Sequence, residues 1–192
     1  MVTKLDNSGR KYTYQDYKTW PDDERWEIID GEAYNMTPAP RTDHQLVSGE
    51  LLRQFANYLI DKPCRIFAAP YDVMLDEDKN NSQNIVQPDL LVVCDKKKLE
   101  NGKYCLGAPD LIIEILSPST AKKDLLIKRH LYEKYGVKEY WIADPEHKDI
   151  TVLLLQEDGK YSEPKTYPTD EKVTPSLFPD LLIDQELVYR DI

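Results

Sequence analysis

Residues 109–120, PDLIIEILSPST, set one glutamate, Glu114, inside a run of aliphatic residues that reads as a buried strand. A carboxylate left unpaired in apolar surroundings costs several kcal/mol, so a partner for Glu114 should lie elsewhere in the chain. Strand alternation puts Asp110, Ile112, Glu114 and Leu116 on one face. Asp110 is nevertheless a poor partner, since four residues of strand separate the two by about 13 Å, too far to share one cation. It reads as a strand-opening residue.

Working outward toward the N-terminus, IVQPDLLVVCD (85–95) carries a second continuous buried-strand signal, and Asp89 stands at its head. If this strand pairs beside PDLIIEIL, about 5 Å away, Asp89 and Glu114 meet. Two carboxylates that close repel, and either one stays protonated or a hard divalent cation such as Mg²⁺ binds between them. Gln87 shares the strand face of Asp89 and would line the site. The alternative is that Asp89 caps a turn after Pro88 and Glu114 pairs with a lysine.

Toward the C-terminus, the spacing predicts a helix capped by Ser119 or Thr120, running through Tyr135 and stopped by Gly136. Its inward stripe is Ala121, Leu125, Tyr132 and Tyr135, with Lys128 in the middle and Asp124 one turn before it. An inward lysine beside a carboxylate pair is either a structural ion pair or a catalytic group. Two carboxylates, a metal and a lysine are the parts that hydrolyse a phosphodiester: the cation polarises the phosphate and acidifies a water, and the lysine stabilises developing negative charge.

The remaining elements fall around this centre. RWEIIDGEAYNM (25–36) predicts a hairpin turning at Asp30-Gly31. From Thr42, TDHQLVSGELLRQFANYLIDK shows helical spacing, with Thr42 or Asp43 as N-cap. CRIFAAP (64–70), YDVMLD (71–76) and KEYWIAD (138–144) read as strands, and ITVLLLQ as the first arm of a hairpin turning at Glu157-Asp158-Gly159. The tail, PSLFPDLLID, reads as loop with a short apolar piece.

The 192 residues suit a single domain, with its core over about 20–185. Apolar residues make up 41% and charged residues 31%, a soluble globular composition. No run is long enough to span a membrane and the N-terminus lacks the apolar stretch of a signal peptide, so a cytoplasmic location is expected. Cys64, Cys94 and Cys105 are scattered and read as reduced thiols. A net charge of −10 disfavours non-specific attraction to nucleic acid, although Lys96–Lys98 and the basic residues from Lys122 to Lys138 concentrate positive charge mid-chain.

The stretches WEIIDGEAYNM, IVQPDLLVVCD, GAPDLIIEILSPST, KKDLLIKRHLYEKYGVKEYWIADP and LFPDLLI, with the helix start at His44, together resemble the Uma-two family of restriction-endonuclease-like proteins in the PD-(D/E)XK nuclease superfamily. The order of elements predicts an α/β (α+β) fold, a mixed central sheet flanked by helices with hairpins at both ends, and the resemblance implies an αβββαβ core. It implies Asp89 and Glu114 as ligands of Mg²⁺, with Mn²⁺ as a possible substitute, DNA as substrate and a homodimer. The motif lysine belongs two residues after the glutamate, where this chain has Leu116. Lys128 of the neighbouring helix fits in its place, with Lys123 the second candidate. Glu50 of the first helix is either a further metal ligand or a solvated glutamate, and His44 either a capping and packing residue or a general base. Three readings follow: a Mg²⁺-dependent DNA endonuclease, a catalytically inactive binding or regulatory module on the same fold, or, on the carboxylate pair alone, a metal-dependent hydrolase of a non-nucleic substrate.

Overall fold

The computed structural model describes residues 9–21, 23–36, 39–118 and 121–192. A short helix, α1 (Tyr14–Tyr17), leads into the hairpin of β1 (Trp26–Ile29) and β2 (Glu32–Asn35). Asp30 and Gly31 form its turn with φ of 47° and 75°, the pair of positive values that the expected type I′ turn requires. Helix α2 (Thr42–Leu59) buries His44, Val47, Leu51, Phe55 and Leu59. Its N-cap is Arg41, so Thr42 opens the helix instead of capping it.

Then follow β3 (Arg65–Ala68), β4 (Val73–Met74), β5 (Ile85–Val86), β6 (Leu90–Val93), β7 (Cys105–Leu106) and β8 (Leu111–Ile115). Helix α3 (Arg129–Tyr135) separates β8 from β9 (Glu139–Asp144), which turns back into β10 (Asp149–Leu154) and β11 (Lys165–Pro168). The pair β12 (Lys172–Val173) and β13 (Ile183–Asp184), with α4 (Gln185–Val188), gives the tail more regular structure than the loop expected. The order α2, β3, β6, β8, α3, β9 is the expected αβββαβ core.

The main sheet runs β11-β10-β9-β8-β6-β3, mixed because β8 and β9 are parallel and every other neighbour antiparallel. Both its faces are covered, which is why its central strands read as unbroken apolar runs. On one face Leu90, Val92, Ile113 and Trp141 pack with Val47, Leu51 and Phe55 of α2. On the other, Leu91, Ile112, Tyr140 and Ile142 pack with Leu131 and Tyr132 of α3 and with Val73 and Val86. Val73 and Val86 belong to a second sheet, β2-β1-β5-β4-β7. The site therefore lies where the two sheets and α3 converge. Among the described residues no helix is long and apolar enough to cross a membrane.

Two expectations are corrected. Cys64 and Cys94 are not free thiols; they form a disulfide. The pairing of Arg65 with Val93 sets them face to face one step beyond the strand ends, a consequence of register that a separation of 30 residues conceals. Cys105 is free and buried, and burial pushes its thiol up to about 12.

The helix before Gly136 also differs. The expected cap residues, Ser119 and Thr120, lie outside the described residues, and Lys123–Lys128 is a π turn rather than α-helix. Leu125, assigned inward on α-helical spacing, is 41% exposed, as are Leu126 and Ile127 in similar degree, while Lys123, Asp124 and Lys128 are buried. In an α-helix residues five apart diverge by about 140°; in a π turn, bonded i to i+5, they lie much nearer one another round the axis. The wide turn is what presents Lys123 and Lys128 to the same partner. Gly136 ends α3 in the left-handed conformation at φ 79°, as expected.

Candidate active site

Antiparallel pairing of Leu90 with Ile113 carries, one step on, to Asp89 opposite Glu114. Register thus sets the two residues opposite one another. Asp89 Oδ2 accepts from the Ile115 backbone N–H (2.8 Å) and faces His44 Nε2 (3.1 Å). Burial works against the His44 imidazolium, but the hydrogen bond and charge of Asp89 outweigh it and raise the histidine above its ordinary value. The Asp89 side chain is 21% exposed, and Oδ1 has no hydrogen-bond partner among the described residues.

Glu114 lies on the α3 side of the sheet. Its Oε1 accepts from Lys128 Nζ (2.9 Å) and from the Tyr132 hydroxyl (2.6 Å). Lys128 Nζ also lies 2.7 Å from Glu27 Oε1 and 3.8 Å from Asp124 Oδ1. Glu27, on β1 of the second sheet, is fully buried; its Oε2 receives Lys123 Nζ (2.6 Å) and its Oε1 the Gln87 backbone N–H (3.0 Å). Three carboxyls, Glu27, Glu114 and Asp124, thus surround two ammonium groups. The partner sought for Glu114 is Lys128, and Lys128 is shared with a glutamate that the sequence reading did not single out.

The surplus carboxyl shows in the titration behaviour. Burial, opposed by Lys128 but joined by the charges of Asp124, Asp89 and Glu27, pushes Glu114 up to about 8. For Glu27, burial is overcome by Lys128 and Lys123, which hold it down at about 2. Burial likewise opposes the charge of Lys128, but Glu114, Glu27 and Asp124 keep it well above its usual range. Environments that drive two carboxyls apart in this way assign one to hold a proton and the other to stay ionised. A folded-state value above the unfolded 4.5 means that the native chain keeps a proton the unfolded chain releases, so this group's contribution to stability falls as pH rises from about 4.5 to 8. Glu114→Gln, neutral at every pH, should flatten that fall; urea unfolding of both proteins across this range measures it.

The other expected site residues divide. Tyr132 and Asp124 are in the cluster, and Lys123 joins it through Glu27 rather than Glu114. Gln87 reaches the cluster only through its backbone; its side chain bonds Arg25, Tyr17 and Asp72. Glu50 is elsewhere, its carboxylate held by Arg53 and Gln54. Six residues along α2 carry it about 120° round the helix from His44, away from the sheet. Among the described residues no three His, Cys, Asp or Glu side chains gather to hold a metal ion. Register sets Asp89 opposite Glu114, Asp89 with one oxygen unbonded among the described residues and Glu114 bonded to Lys128 and Tyr132; Mg²⁺ commonly takes one or two carboxylates and fills its shell with water and phosphate.

Known proteins share this architecture. A crystal structure from Anabaena variabilis, described as "a putative nuclease belonging to DUF820", superposes with a TM-score of 0.73 over 93% of this chain and 97% of that one, at 20% identity, which shows the common fold. The uncharacterized protein slr1290 of Synechocystis sp. is 27% identical over 154 residues, 79% of this chain and 78% of the relative. Residues 14–186 match the Uma2 family, described as "Putative restriction endonuclease". The chain belongs to the Uma2 family of restriction-endonuclease-like proteins.

Proposed function

We propose that the protein is a Mg²⁺-dependent DNA endonuclease that hydrolyses phosphodiester bonds with an activated water. The observation that carries this reading is the buried Lys128 ammonium bonded to Glu114 beside Asp89, because it supplies in space the lysine that the strand lacks at Leu116. Asp89 and Glu114 would hold Mg²⁺ or Mn²⁺, which when bound supplies Lewis-acid charge at the phosphate and acidifies the attacking water. The Ile115 N–H and His44 fix Asp89 through one oxygen and leave the other without a hydrogen bond among the described residues. Tyr132 and Lys128 fix the Glu114 carboxyl, and Lys128 places a permanent positive charge where negative charge develops on the phosphate. The basic mid-chain residues would meet the DNA backbone, and a homodimer would cut both strands.

Calorimetry with Mn²⁺ or Mg²⁺ tests the reading without choosing a DNA sequence. The wild type should bind metal, and Asp89→Asn, which preserves shape and an acceptor for the Ile115 N–H, should lose binding and cleavage together. Absence of binding at millimolar metal would sink the proposal. One observation favours the non-catalytic module instead: Lys128 is already engaged by Glu27 and Glu114, as a purely structural ion cluster would have it.

A further inference from the structure

The Gln87 backbone holds Glu27 of the lysine cluster, while its side chain lies on the wall of a separate cleft of about 380 Å³. The side-chain amide is fixed at both ends: Oε1 accepts from Arg25 Nε (2.9 Å), and Nε2 donates to the Tyr17 hydroxyl (3.1 Å) and Asp72 Oδ1 (2.8 Å). Above this polar floor stand aromatic rings. Trp20 meets Trp26 edge-on at 5.3 Å and Tyr17 at 5.7 Å, and all three line the cleft. Lys18 and Arg25 bring positive charge to the same lining, Glu24 and Asp72 carboxylate acceptors.

Flat rings, fixed hydrogen-bonding groups at their edges and cations at the rim are the features that hold an unstacked nucleobase and its phosphate. The volume falls within the range of small-ligand sites. The pinned amide means that little ordering remains to be done on binding. Trp26 is buried in a small apolar cluster, and Tyr17 and Trp20 pack against it half-buried where they line the cleft.

We propose that this cleft receives one unstacked base of a bound DNA strand, so that the protein binds single-stranded DNA, or duplex with that base flipped out, more tightly than fully stacked duplex. The inference rests on the nuclease reading for the choice of DNA as the ligand, not for its test.

The test is binding in EDTA, where no cleavage can occur, of a short single-stranded oligodeoxynucleotide, the same strand with one abasic residue, and the corresponding duplex. Anisotropy of an end label gives affinity, and quenching of tryptophan emission reports stacking in the cleft. The intact strand should quench and should bind more tightly than the duplex. Loss of the base should weaken binding roughly 5- to 150-fold, the range for one base on an aromatic ring. Trp20→Ala should weaken it similarly, and the abasic strand with Trp20→Ala should lose no more than either change alone. Equal affinity of the wild type for intact and abasic strands, a comparison that needs no variant, would overturn the proposal, as would tighter binding of duplex. Base-dependent binding by a protein that never cleaves would keep the cleft and discard the nuclease reading. Cleavage with no base dependence would do the reverse.

Discussion

Glu27→Ala should lower the stability of the protein by about 3–5 kcal/mol, the usual cost of breaking a buried ion pair from one side. Two ammonium groups depend on this carboxylate, Lys123 at 2.6 Å and Lys128 at 2.7 Å, and the Gln87 N–H donates to it as well. None of the three can turn to water without opening the seam between the sheets. The loss is a large share of the roughly 5–15 kcal/mol that holds a domain together, so the variant should unfold at much lower urea. The acid limb of the stability profile gives an independent check. Glu27 is held below its unfolded 4.5, so its contribution is present above that value and disappears as pH falls toward about 2. Glu27→Gln should remove this limb. A Glu27→Ala protein as stable as the wild type would mean that the lysines find other partners.

Lys128→Met should reduce DNA cleavage by roughly 10²–10³, the scale for removing one donor from a site where charge develops in the transition state. Methionine retains the length and apolar stem of lysine without the charge, and the site is dry enough for the difference to matter. Relieved of the ammonium, Glu114 should hold its proton more firmly, since Lys128 is the strongest force working against it, and metal affinity at neutral pH should fall too. If the cluster is only structural, Lys128→Met changes the unfolding midpoint and leaves metal and DNA binding as they were. Thermal melts of the same preparation separate the two outcomes.

The parts of this site legible in the sequence are those where a polar residue interrupts an apolar pattern. Glu114 in LIIEI demanded a partner, and the register that brings Asp89 to it followed from two strands that each read as buried. Glu27 carries the same signal, a carboxylate among Trp26, Ile28 and Ile29. It goes unnoticed because a hairpin arm is ordinarily expected to expose alternate residues to water, whereas all four residues of β1 are buried. Two things depended on contacts across elements and had no local trace: the disulfide, set by pairing register, and the side chain of Gln87, which leaves the carboxylate pair for Arg25 and Asp72. The position of Leu125 was misread because helical periodicity presumes 3.6 residues per turn throughout, and the turn at Lys123–Lys128 does not keep it.

That turn has a consequence for descent. In helical terms it amounts to one inserted residue, and its outward residues, Leu125, Leu126 and Ile127, are exposed. Loss of any one of them in a lineage would let the segment close as ordinary α-helix and would leave the parts before and after it nearly in phase. Lys123 and Lys128 would then stand four apart on one helix face, so a relative one codon shorter here would keep both lysines toward Glu27 without the wide turn.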